Sequence, residues 1–199
     1  DALEALVHSI AHIEFSAIDL AIDAAYRFRD MPLEYKRDWL KVAQDEIRHF
    51  KMLDALLMEL ESHYGALPVH KGLFEISYKT RESAIERMAV IPRYFEASGL
   101  DVNPKIIQKL QSHKRNPFVH KLIEALELIY QEEIDHVFKG DKWFKFLSEM
   151  EGVEPEMRYL DIITKFNLKS RAAQFNIEGR KEAGFSCREL LNLGAKECK

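Results

Sequence analysis

Two heptapeptides in this chain match each other, and each lies inside a long stretch of helical periodicity. Residues 44–50 read Gln-Asp-Glu-Ile-Arg-His-Phe, and residues 131–137 read Gln-Glu-Glu-Ile-Asp-His-Val. They share glutamine, an acid, glutamate, isoleucine, any residue, histidine and an apolar residue, in that order. On a helix, residues three apart lie about 60° apart around the axis and about one turn along it. Glu46 and His49 therefore point at one object, and so do Glu133 and His136. The fold must give both pairs either solvent or a cation, because carboxylates and imidazoles buried without compensation are very costly.

The rest of the pattern is that of an all-α chain. The sequence has only 8 Gly and 6 Pro in 199 residues, and most of the prolines separate periodic stretches. Leu3, Leu6, Val7, Ile10, Ile13, Ala17, Ile18, Leu20, Ala21 and Ala24 predict a first helix over 3–29, stopped at Asp30-Met31-Pro32. A second is predicted over 33–64, with Gly65 as its C-terminal cap. Residues 65–79 read as irregular, and Thr80 is a plausible N-cap for a third helix over 81–98, although Glu82 and Ser83 allow other registers. Gly99 and Asn103-Pro104 mark the end of that helix, and a short one over 104–112 follows. A fourth long helix is expected over 117–138, ended by Gly140, then another over 141–150 and a tail with breaks at Asn176, Gly179 and Gly184. No linker divides the chain. The expectation is one domain, with a bundle core at 3–138 and a helical extension at 141–199.

Glu-x-x-His on two helices of a bundle is the arrangement of di-iron and di-manganese carboxylate proteins, where each of the other two helices adds one Glu. On the first helix Glu14 is the one Glu well inside, 32 residues before Glu46 (46 minus 14). A helix reversed after about 15 residues brings the two to the same depth. The third helix offers two. Glu96 lies 37 residues before Glu133 (133 minus 96), close to the spacing of the first half; Glu86 lies 47 before (133 minus 86) but nearer the middle of the helix as drawn. Spacing leaves both open. Asp45 and Glu132, equivalent in the two heptapeptides, are expected to accept from the histidines across the bundle, as carboxylates commonly do beside metal-bound imidazole.

Several segments together resemble a known family. They are His12-Ile13-Glu14, Ala17-Ile18-Asp19-Leu20-Ala21, Asp45-Glu46-Ile47-Arg48-His49-Phe50, Phe95-Glu96-Ala97-Ser98-Gly99-Leu100-Asp101-Val102, Glu132-Glu133-Ile134-Asp135-His136-Val137, and Phe175-Asn176 to Ala183-Gly184-Phe185. The chain resembles, over nearly its whole length, an uncharacterised family of bacterial ferritin-like proteins related to the di-iron hydroxylase that acts on a hypermodified adenosine of tRNA. The resemblance implies a ferritin-like four-helix bundle with extra C-terminal helices, and two iron ions, or manganese, on Glu14, Glu46, His49, Glu96, Glu133 and His136. It favours Glu96 over Glu86, because relatives read Glu-Ala-Arg there; Ser98 replaces that Arg. The family brings no assigned substrate.

The expected activity is O₂-dependent oxidation, such as hydroxylation, of a small molecule or modified nucleoside, with an external electron donor. The alternatives are a ferroxidase or iron store, which would need a shell of subunits, and a non-catalytic metal-binding protein. A net charge of −4 shows no broad positive field for nucleic acid or an anionic membrane surface. The basic residues Lys165, Lys169, Arg171, Arg180 and Lys181 read as solvated surface. Two cysteines, Cys187 and Cys198, do not make a disulfide framework and suggest a reducing, cytoplasmic setting. No apolar run is read as a membrane span. The chain opens at Asp1 and is in helical pattern by Leu3, as a chain with residues missing ahead of it would be. A dimer is an open possibility. His8, His12 and Tyr130 are expected to have structural roles, and His63, His70, His113 and His120 to lie at the surface or in caps.

Overall fold

A computed structural model describes residues 2–169 and 175–198. Every regular element among them is helical: α1 (Ala2–Arg27), α2 (Leu33–Glu59), α3 (Gly72–Lys79), α4 (Ala84–Val90), a π-helical turn (Ile91–Glu96), α5 (Ala97–Leu110), a 3₁₀ turn (Gln111–His113), α6 (Pro117–Met150), α7 (Pro155–Lys165), α8 (Ile177–Glu182) and α9 (Cys187–Asn192). The chain forms two compact units. The first comprises Asp1–Tyr78 and Ile107–Ile129, the second Lys79–Ile106 and Tyr130–Lys199.

In the first unit α1 and α2 pack as an antiparallel pair. Ser62 Oγ donates to Glu4 Oε1 at 2.7 Å, His49 meets Glu14 midway, and the Phe28 and Tyr35 rings meet at 6.5 Å near the connection. The inner face of α1 is built largely of small residues, with Ala11, Ala17, Ala21, Ala24 and Ala25 all buried. That lets α2 approach with Tyr35, Trp39, Leu53 and Leu57. This alanine-rich composition also makes α1 more apolar than the sequence reading allowed. An 18-residue window reaches a mean hydropathy of 1.4, long and apolar enough by length and composition to cross a membrane, although half of it is buried inside the structure.

Helix α2 stops at Glu59, earlier than predicted, and its glycine is not the cap. Glu61 takes the positive φ of 56° while Ser62 N–H reaches back to Leu57 O at 3.0 Å. The following loop, expected to be irregular to residue 79, ends in α3. Two histidines of α1 hold it. His8 Nε2 accepts from the N–H groups of Gly65 (3.0 Å) and Leu67 (3.3 Å), while His12 donates from Nε2 to His70 O (2.8 Å) and meets Tyr64 OH through Nδ1 (2.9 Å). These are the structural roles the sequence suggested.

The second unit departs more from expectation. Ser83, not Thr80, caps α4, accepting from Glu86 N–H; Thr80 is buried and accepts from Arg87 Nε at 2.9 Å. Pro92 has no N–H to donate, and the helix widens there into the π turn, closed by Ala97 N–H on Pro92 O. Helix α5 then runs through Gly99 and Pro104, where the sequence predicted a break. Pro104 cannot donate to Leu100 O, and Asn176 Nδ2 does so instead, at 3.2 Å.

Helix α6 is likewise one helix and not two, because Gly140 is a contact and not a stop. A Cβ there would collide with the Pro92 ring. These contacts fix the register of the unit. Pro92 lies against Gly140, and Leu100 and Tyr130 share the Asn176 amide, which donates to Tyr130 OH at 2.8 Å. The segment 92–100 is therefore antiparallel to 130–140.

The tail corrects two further expectations. Cys187 and Cys198 are joined by a disulfide, because Gly194 turns the chain (φ 100°) and returns it to the start of α9 with the Cα atoms 5.5 Å apart. Arg180 is not surface: it is buried on Asp101, with Nε on Oδ1 at 2.9 Å and a second nitrogen on Oδ2 at 2.6 Å. Lys165 pairs with Glu86, and Arg171 lies outside the described residues.

Asn176 replaces a carbonyl partner lost to proline and also caps α8 through Gly179 N–H at 3.2 Å. Asn176→Ala is expected to lower unfolding free energy by about 1–3 kcal/mol, read by urea denaturation.

Candidate metal centre

Among the polar groups that α1 and α2 bury, Glu14 of α1 and Glu46 and His49 of α2 lie at one level. Glu14 is 5% exposed, Glu46 1% and His49 0%. Little of these side chains meets bulk water. They face one another instead. His49 Nδ1 lies 3.1 Å from Glu14 Oε2 and 3.4 Å from Glu46 Oε2. Each of the three offers one ligand atom, all within 4.8 Å of one another, as a bound cation requires.

The electrostatics follow from burial. Removal from water, and then the nearby Glu46 charge, push the Glu14 carboxyl up to about 8 from its ordinary 4.5. Burial by itself would lower the His49 imidazole. Hydrogen bonds to Glu14 and Glu46, and their charges, outweigh it and raise His49 to about 10. Without a cation, the cluster holds protons at neutral pH in place of positive charge. Carboxylates with one imidazole are a donor set that could hold a divalent cation.

In the second unit, the other heptapeptide forms the same local pair. His136 is fully buried and its Nδ1 lies 3.2 Å from Glu133 Oε1, against 3.4 Å for the His49–Glu46 pair. The two candidates from the third helix have different surroundings. Glu86 lies near the start of α4 and forms an ion pair with Lys165 at 2.5 Å. Glu96 is the last residue of the π turn and is half-buried. Asp45 contacts Arg48 of its own helix at 3.0 Å. Tyr130 OH accepts from Asn176, in keeping with a packing role.

Sequence reasoning missed Arg93. It is fully buried, and its partners Asp141 and Glu189 lie 48 and 96 residues away in sequence (141 minus 93; 189 minus 93), with no local motif to mark them. Its neighbour Pro92, in an otherwise helical stretch, was the available signal.

A family profile described as a protein of unknown function (DUF455) matches residues 2–191. An uncharacterized protein of Haemophilus influenzae is 35% identical over 193 residues, an alignment that covers 94% of this chain. The chain spans 66% of that relative's length. No solved structure matches.

The raised groups set the pH dependence. Glu14 and His49 both bind protons more tightly folded than unfolded. Glu14's contribution to the stability of the metal-free protein is complete below about pH 4.5 and is lost as pH rises through about 8. That of His49 is complete below about 6.5 and is lost through about 10. A cation must displace these protons. Anaerobic calorimetric titration with Fe(II) or Mn(II) at pH 7, in two buffers of different ionisation enthalpy, should show net proton release. Zero release would contradict the assignment.

Proposed function

The chain belongs to the DUF455 family, and we propose that it is a ferritin-like di-metal carboxylate protein whose centre is Glu14, Glu46, His49, Glu96, Glu133 and His136. The observation that carries this reading is the buried cluster of Glu14, Glu46 and His49, which nothing but protons or a cation could neutralise. The matching geometry of the Glu133–His136 pair supports a second half-site of the same kind.

The register of the second unit supports Glu96 as that half-site's other carboxylate. Pro92 opposes Gly140 and Leu100 opposes Tyr130, so Glu96 falls level with the stretch that holds Glu133 and His136. Glu86 is engaged with Lys165 and lies a full helix segment away. The π turn that ends at Glu96 adds weight, since such turns recur at functional sites.

In this reading the carboxylates of Glu14, Glu46, Glu96 and Glu133 and the imidazoles of His49 and His136 would hold the two ions. When bound, two ferrous ions would supply O₂-activating redox chemistry, with electrons from an external donor; manganese fits the same donors. The chain's own residues do the rest. The alanine-rich face of α1 and the aromatic face of α2 exclude water from Glu14, Glu46 and His49. The cluster exchanges its protons for cations. The substrate class we propose is a small organic molecule or a modified nucleoside.

Anaerobic purification followed by metal analysis should find about two ions per chain, most of them lost in Glu46→Ala and in Glu133→Ala, with helix content by circular dichroism unchanged. One ion or none in the native chain would overturn the reading. On aeration the ferrous protein should consume O₂. Uptake with no gain from any organic substrate would reassign it to ferroxidase chemistry, and no uptake to metal binding alone.

A further inference from the structure

The second unit contains an ionic group that the proposed centre does not use. Arg93 sits in the middle of the π turn with no exposed surface. One of its terminal nitrogens lies 3.2 Å from Asp141 Oδ1, and the same nitrogen bonds the carboxylate of Glu189. Its guanidinium carbon stands 4.4–4.8 Å from the ring centroids of Tyr159, Phe144 and Phe185. Tyr159 OH donates to the Arg93 carbonyl at 3.0 Å. Asp141 is itself held by Lys145, whose Nζ lies 2.6 Å from Oδ2 and 2.8 Å from Gly184 O. One side chain thus ties the π turn to α6, α7 and α9.

Stability alone does not call for such a device. Buried ion pairs are often matched or exceeded by well-packed apolar residues of similar volume, whereas they do fix register. Register is what the π turn puts at stake. Each α-helical residue turns the chain by about 100°. Relaxing Ile91–Glu96 to an ordinary α-helix would advance everything after it by one such step and swing Glu96 off its face. We propose that Arg93 is a positioning residue: clamped by Asp141 and Glu189, it holds the π turn so that the Glu96 carboxylate stays level with Glu133 and His136.

This inference rests on Glu96 being a metal ligand, so the experiment includes that residue. Fe(II) binding to the full chain is measured anaerobically by calorimetry for Arg93→Lys, which keeps the charge but not the planar group among the three rings, and for Glu189→Gln. The control is Leu190→Ala, a fully buried residue of α9 that takes no part in the ion pairs of Arg93. Both clamp variants should weaken one of the two ions on the order of 10- to 100-fold and spare the other, the range seen when groups supporting metal ligands are changed. Leu190→Ala should lower Tm and leave both affinities unchanged. If affinity falls in Leu190→Ala in step with Tm, the clamp is merely structural and the proposal fails. If Glu96→Ala loses an ion while both clamp variants bind as the native chain does, the positioning role fails and the ligand assignment stands. If Glu96→Ala keeps both ions, the assignment of Glu96 falls and the proposal with it.

Discussion

Two carboxylates and an imidazole packed between α1 and α2 set the terms for this protein. Glu14, Glu46 and His49 are almost wholly removed from water, in a helix pair whose buried faces are otherwise mostly apolar. At that burial a free carboxylate is far out of its usual range, and the rise of Glu14 to about 8 shows how strongly the site resists bare negative charge. His49, raised to about 10 by the same acids, answers that charge with a proton. A chain selected only for stability would replace such a cluster with apolar residues. Its retention makes sense if cations take the place of the protons.

The second unit is set by contacts that fix its backbone register. Pro92 opens the π turn, Gly140 leaves room for its ring, and Arg93 ties the turn down through Asp141 and Glu189. Asn176 then allows Pro104 within α5 by supplying the donor that proline lacks. These contacts are far apart in sequence and close in space. The local geometry of Glu133 and His136 on α6 matches that of Glu46 and His49 on α2, the structural counterpart of the duplicated heptapeptide.

What could be read from the sequence was whatever depends on local periodicity. The helical class, the extents of α1 and the early part of α2, and the facing of Glu46 with His49 all follow from spacing on one helix. The pairing of Glu14 with that group followed from counting residues through a reversal. Gly140 and Pro104 misled for one shared reason. Glycine and proline usually punctuate helices, but their meaning depends on what touches them: Gly140 receives Pro92, and Pro104 is excused by Asn176. The burial of Arg180 on Asp101 and of Arg93 on Glu189 left no trace in composition, since a buried arginine and a surface one read alike until the partner is known. The disulfide of Cys187 and Cys198 depended on the turn at Gly194, which counting cysteines does not reveal.

The most direct test of the central claim is anomalous X-ray diffraction from crystals grown anaerobically with Fe(II), collected on both sides of the iron edge. The account predicts two iron peaks, held by Glu14, Glu46, His49, Glu96, Glu133 and His136. A single peak, or iron found only at surface carboxylates with Glu14, Glu46 and His49 still bonded to one another, would contradict it.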